Sequence, residues 1–517
     1  MKKVFLLLLF LSAFSLYSQE EEILEEEILF DESTVFIITD FIFNIKGRTR
    51  PDALIYAGEF KKGEVIEGEA NLEKYVREKT QMLINQRVLK DNAEVSYSIN
   101  GQNPDGSCQV IITITVEDSW NIIALPYPYY NSNTGFELTI KARDYNFLGT
   151  MNPLRVDLGY HYDENKRSSF HLYIDSNTPF TAFGYTWNFD FDNYFSYRPQ
   201  VEEPFYYQNI TGISMELPFR RTTFTFGFQE AFNVNEENAD RYQAAYGNFQ
   251  TGLYMASKLY TIWKIPTGFS ILDYGELTYT PEIAATFNHE IPQWPLANFR
   301  KGPFLSFSHS LGFEKIDWIS NYRRGLSVWL SNSYNLDFFR LRNEMEPLSV
   351  SFSLNGTGHF IIRDFFAIST RLLYRHWFYH DPDYHDRAAD VIRGIGDKSI
   401  CADYMLSLNL DFPFRLFVFQ PSAWFNKPKL AFFDFEFQMS PVMDFALYND
   451  PYAKISFNPK NIAVGGGVEF IVFPAFMRNL YACLSFSWNI REMATARPFK
   501  LPSGSNREIT FGLGHFY

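Results

Sequence analysis

The sequence predicts a mainly β protein in which a single N-terminal α/β domain precedes a transmembrane antiparallel β-barrel. Three observations point there. Residues 120–517 alternate apolar and polar side chains with period two over many short stretches. Aromatic residues make up 18% of the chain, with 54 Phe, 32 Tyr and 9 Trp; this exceeds the needs of a soluble core and suits a lipid-facing band with aromatic girdles. Beyond the N-terminal segment no apolar run reaches the roughly 20 residues that a bilayer-crossing helix requires.

Met1-Lys2-Lys3 and the apolar run 4–17, with Ser15 and Ser18 near its end, read as a secretory signal peptide over 1–19. Residues 20–34, mostly Glu from Glu20 to Glu32 with Ile23, Leu24, Ile28 and Leu29 between, read as an acidic, solvated linker. Residues 35–118 carry the pattern of a compact β-α-α-β-β unit. A strand spans 35–45, and residues 47–52 turn into a short helix whose first turn Pro51 can occupy. Asn71 can cap a second helix bearing Leu72, Tyr75, Val76, Met82 and Leu83. Strands over 93–99 and 110–116 finish the unit.

In the barrel region, 120–517, Phe136, Leu138, Ile140 and Ala142 share one face and Glu137, Thr139, Lys141 and Arg143 the other. Phe224, Phe226 and Phe228 repeat the alternation. The net charge of −14 argues against nucleic-acid binding, which needs clustered Lys and Arg. Cys108, Cys401 and Cys483 are too far apart for a CxxC metal pair and form no disulfide framework. His376, His380 and His385 lie among Asp381, Asp383 and Asp386. Their spacing suits a helix, whereas the stretch reads as a strand end entering a loop, so no metal site is expected. Neither a nucleophile elbow nor a phosphate loop is present, so the expectation is no enzyme and no cofactor.

Several motifs carry a family resemblance. Ile45-Lys46-Gly47-Arg48-Thr49-Arg50-Pro51, Gly63 and the closing strand 110–117 make the first domain resemble a POTRA domain, the periplasmic module of the BamA/TamA family of outer-membrane assembly and transport proteins. Val391-Ile392-Arg393-Gly394-Ile395-Gly396 resembles that family's VRGF/Y motif, carried on a loop that folds back into the barrel lumen. Residues 404–414 are similar to the next strand, which ends in an acidic residue and a proline turn. Phe432-Phe433-Asp434-Phe435-Glu436 resembles an F-x-D-x-G strand, with Glu436 in place of glycine, and Gly465-Gly466-Gly467-Val468-Glu469 the glycine-rich strand after it. Asp144-Tyr145-Asn146-Phe147-Leu148-Gly149 is similar to a D-x-N-x-L-G turn, read here as structural. The C-terminal residues Phe511, Leu513, Phe516 and Tyr517 resemble the recognition signal on the last strand of outer-membrane barrels.

The resemblance implies sixteen strands, about 25 residues each. It implies location in the bacterial outer membrane with the POTRA-like domain in the periplasm, and a role in inserting other barrels or translocating a polypeptide. Its partners would be outer-membrane lipids, unfolded outer-membrane or secreted client polypeptides, and periplasmic chaperones or accessory lipoproteins. With Leu406, Leu408, Leu410 and Phe435, Phe437 facing lipid, alternation turns Asp411 and Asp434 inward as two candidate carboxylates for Arg393, whose planar fork suits them. A passive porin or structural surface barrel is the alternative. The single POTRA-like unit and Glu436 both favour a specialised member.

Overall fold

A computed structural model describes residues 33–131, 135–162, 167–200, 204–234, 247–267, 274–289, 303–342, 346–379, 386–387, 391–395, 400–449, 462–495 and 507–513. The signal-peptide reading, the linker reading as far as Glu32, and Phe516 and Tyr517 lie outside them.

Six elements build the N-terminal domain: β1 (Val35–Lys46), α1 (Pro51–Ala57), β2 (Val65–Glu67), α2 (Glu69–Asn85), β3 (Glu94–Gln102) and β4 (Cys108–Glu117). The short β2 is an addition to the order read from sequence. The sheet order is β2-β1-β4-β3, with β1 parallel to β4, so β3 is an edge. Alternate positions of β1 and β4 point one way: Phe36 and Ile38, with Val110, Ile112 and Ile114, are fully buried against Leu54, Leu72 and Leu83 from the helices. Fully burying each such side chain contributes about 1.5–3 kcal/mol. Pro51 opens α1, where its missing N–H costs nothing. Asn71 does not cap α2. The helix begins two residues earlier, after Gly68 at φ 83°, and the Asn71 amide donates back to the Glu67 carbonyl at 2.6 Å.

Antiparallel strands form a closed barrel in which the first, Ile122–Asn131, neighbours the last, Arg507–Leu513. Outward positions such as Phe224, Phe226, Phe228, Leu253, Met255 and Phe307 are exposed. Inward ones such as Ser214, Thr278, Ser327, Ser407 and Asn409 are buried and polar. A continuous apolar outer belt around a polar interior is the face arrangement of a barrel in lipid. Among the described residues no helix is long and apolar enough to cross a membrane.

The sixteen strands implied by resemblance are corrected upward. Among the described residues nineteen strands follow one another around the wall. Two of them, Tyr404–Asp411 and Phe414–Phe419, lie end to end in one register between the same neighbours, leaving eighteen positions. More strands fit because connections at one end shrink to two residues, as at 183–184, 220–221, 320–321 and 364–365. The proline turn expected after Asp411 is likewise absent. Pro413 withholds a ladder donor and interrupts the strand, which resumes at Phe414.

The N-terminal domain attaches at the short-turn end. Its Glu117 carboxylate receives Lys90 at 2.6 Å and Lys46 at 2.9 Å. Hydrogen bonds from Lys90 and Lys46 hold it down from 4.5 to about 2. A depressed carboxylate stabilises the fold above its ordinary value and ceases to do so as pH falls through the folded one. Amide hydrogen-exchange protection of 33–118 in the full-length protein is therefore expected to fall between about pH 4.5 and 2, and Glu117→Gln to lose this step.

Candidate functional site

The residues of the arginine–glycine motif sit inside the barrel. Val391, Ile392 and Ile395 are buried with Leu373, Met405, Ala446 and Ala463, which fastens the loop to the inner wall by apolar packing. Arg393 is 2% exposed. Its Nη2 lies 2.7 Å from Asp411 and 2.6 Å from Asp444, its Nε donates to Asp444 at 2.9 Å, and its Nη1 lies 3.1 Å from Glu469. The backbone N–H of Arg393 also donates to Asp444, at 2.8 Å. One guanidinium thus gathers carboxylates from three adjacent strand positions, and only a planar fork with five donors can do so.

Close backbone approach completes the seat. Asn409 donates to the Val391 carbonyl at 2.7 Å. Gly394 adopts φ 78°, and a Cβ there would lie 2.4 Å from the Trp488 backbone nitrogen. Its N–H donates to Glu508 on the last strand at 3.1 Å. Gly465 leaves room for the Arg393 carbonyl, which a Cβ would meet at 2.0 Å. The loop tip therefore touches every position from Tyr404–Asp411 to Arg507–Leu513.

The two candidate carboxylates separate. Asp411 reaches Arg393, whereas Asp434 does not; it precedes the strand Phe435–Tyr448 and accepts from the Ser422 N–H at 3.1 Å and from the Ser422 hydroxyl. Asp444 has the same inward parity as Asp434 but lies ten residues, about 33 Å, further along the strand. Alternation alone cannot choose between them. Glu469 stood in the glycine-rich motif without a role, and Glu508 gave no sequence signal beyond an inward position. Glu436, in the glycine position, is buried and pairs with Arg415 at 3.0 Å. Phe511 faces outward and stacks 6.1 Å from Tyr127 of the first strand; Leu513 ends the last strand.

Two joints seat the N-terminal domain on the barrel. At the first, the turn read as merely structural is a socket. Asp144 takes Arg48 bidentately at 2.9 and 3.2 Å, and fully buried Asn146 donates to Thr49 at 2.8 Å and Asp118 at 3.0 Å. Gly149 admits the Arg48 carbonyl, which a Cβ would meet at 2.2 Å. At the second, eight positions around the wall, Asn85 of α2 donates to Asp317 and receives the Trp318 N–H, both at 2.9 Å. Arg87, buried, stacks 4.1 Å from the Trp318 ring and donates to the Ser320 carbonyl and the Asn321 amide oxygen there, and it also reaches the Arg478 carbonyl in the separate turn between Ile462–Pro474 and Ala482–Asn489. Burial pushes its guanidinium down to about 10. The joints are nearly opposite, so the domain spans the barrel mouth.

Asn146→Ala removes the one amide that donates to both the Thr49 hydroxyl and Asp118, leaving Asp118 with the Thr49 hydroxyl and the Arg48 N–H alone. It is expected to weaken docking by about 1–3 kcal/mol, read as faster hydrogen exchange at residues 47–50 and 118 with the barrel strands unchanged.

No protein-family model and no curated protein matches the chain. Among solved structures, CdiB from Acinetobacter baumannii aligns at 12% identity and a TM-score of 0.46, over 93% of this chain and 74% of that one. CdiB from Escherichia coli aligns at 11% and 0.49, over 93% and 76%. BamA from Haemophilus ducreyi, in a structure lacking POTRA domains 1–3, aligns at 12% and 0.36, over 92% and 84%. Likeness this distant carries no functional argument, and the architecture of a closed antiparallel barrel with a docked α/β domain rests on the chain's own geometry.

Proposed function

We propose that this is an outer-membrane protein of the BamA/TamA superfamily that inserts or translocates extended polypeptide clients, with its N-terminal domain a periplasmic POTRA domain. The observation that carries this reading is the buried Arg393 cluster. Desolvating a guanidinium and three carboxylates costs several kcal/mol per ion, and well-packed apolar residues stabilise a wall at least as well. A charge cluster of this kind suits an element that must hold one defined position and can leave it. It holds the loop against the strands leading to the barrel seam.

Two further features support a client-handling role over a passive pore. The N-terminal domain straps the mouth, an obstruction that free diffusion does not need. Pro126 and Pro128 in the first barrel strand lie two residues apart, so both missing N–H groups fall on one strand edge, and proline in sheets belongs to edges. An edge short of donors is easier to part and to pair with an incoming strand. In the domain itself β3 is a sheet edge, where an extended client can add by main-chain hydrogen bonds with little sequence selectivity.

The test is quantitative proteomics of the outer membrane after depletion. Broad loss of barrel proteins supports insertion, and loss of one exported protein supports translocation. An unchanged proteome rejects both in favour of the passive barrel.

A further inference from the structure

Most connections at the domain-bearing end of the barrel are short, but between Phe419 and Phe435 the chain runs through fifteen residues. They fold into a helical turn, Pro421–Trp424, and a 3-10 segment, Pro428–Phe433. Trp424, Phe425, Phe432 and Phe433 are 61%, 65%, 62% and 58% exposed, a cluster of large apolar side chains that a water-facing turn does not carry. Lys427 and Lys429 are exposed beside them, and residues 420–433 contain no acidic side chain although the whole chain carries a net −14.

The cluster continues the lipid-facing surface. Phe437 stacks 5.3 Å from Phe417, Phe435 lies 5.2 Å from Phe419, and Phe419 lies 5.0 Å from Trp424, so one column of rings runs down the outer wall and off its rim. Phe432 stacks 4.4 Å from Phe476 in the adjoining turn. The base is pinned by buried Asp434, which clasps Ser422 and whose carbonyl accepts from Ala475 at 2.9 Å. The rings are thus presented on a fixed support rather than a slack loop.

We propose that residues 421–433 are a membrane-surface anchor for the periplasmic leaflet, laying Trp424, Phe425, Phe432 and Phe433 into the headgroup boundary and pairing Lys427 and Lys429 with the phosphates of anionic phospholipids. Rings with an apolar body and lysines with long stems suit that boundary, where one end is apolar and the other wet. Juxtamembrane lysines are attracted to anionic lipid over about a Debye length. The anchor rests on the reading that the barrel spans a membrane. It would fix the wall's depth and tilt three positions from the last strand.

Full-length protein and Trp424→Phe are to be reconstituted into nanodiscs of phosphatidylcholine with and without phosphatidylglycerol, using acyl chains brominated at shallow or deep carbons. The difference between the two proteins isolates Trp424 from the other tryptophans. Its emission is expected to fall at least two-fold with shallow bromines and less with deep ones, and Lys427→Glu with Lys429→Glu to abolish co-purified phosphatidylglycerol enrichment. If Trp424 stays unquenched while the other tryptophans are quenched, the anchor is overturned and the barrel reading stands. If no tryptophan is quenched, the membrane barrel itself fails. A photoreactive group at residue 425 that captures protein rather than lipid in cells also overturns the anchor.

Discussion

Replacing Arg393 with alanine is expected to unseat the loop and cost about 3–5 kcal/mol of anchorage, because three carboxylates, two of them almost wholly buried, lose their shared cation at once. The full-length protein should become cleavable within 380–403 by added protease and lose its heat-resistant compact form on gels at a lower temperature. Arg393→Lys should recover part of the effect at most, since a point charge cannot face three carboxylates in separate directions. Unchanged protease resistance in Arg393→Ala would refute the anchoring role of Arg393.

Gly394→Val is expected to unseat the same loop by a steric route. Its φ of 78° is a region that a β-branched residue enters at a cost of about 1–3 kcal/mol, and the new Cβ would press on the Trp488 backbone, which cannot swing aside as a side chain could. Because one seat is lost in either case, the double variant Arg393→Ala with Gly394→Val should be little worse than the more damaging single one. Additive losses in protease resistance would mean that the two residues act in separate places.

Much of the wall was legible because alternation is a strong local signal: Phe224, Phe226 and Phe228 announce an outer face without help from any distant residue. Strand number was not, because two-residue turns such as 220–221 leave no composition gap between strands. The arginine was legible from its motif, but its partners were only half so. Asp411 and Asp434 satisfy the same parity rule, and nothing local tells how deep in the barrel the loop descends; Asp444 answers that only once the strands are aligned. Asn146 shows the opposite difficulty. Its turn chemistry was evident, whereas its partners Thr49 and Asp118 are 97 and 28 residues away, so the joint was invisible.

The contacts of the loop tip also set an order of events. Gly394 meets Glu508 across 114 residues, and Arg393 meets Glu469 across 76. Closing such separations is slow, and the loop has no complete seat until the last strand is in place. Its anchorage therefore belongs to the descent after the rate-limiting barrier. Arg393→Ala should leave the rate of barrel formation in lipid vesicles nearly unchanged and raise the unfolding rate in denaturant by most of the full factor, on the order of a hundredfold or more. The arginine then acts as a latch on exit from the native state, and the lifetime of the closed barrel becomes adjustable at one residue.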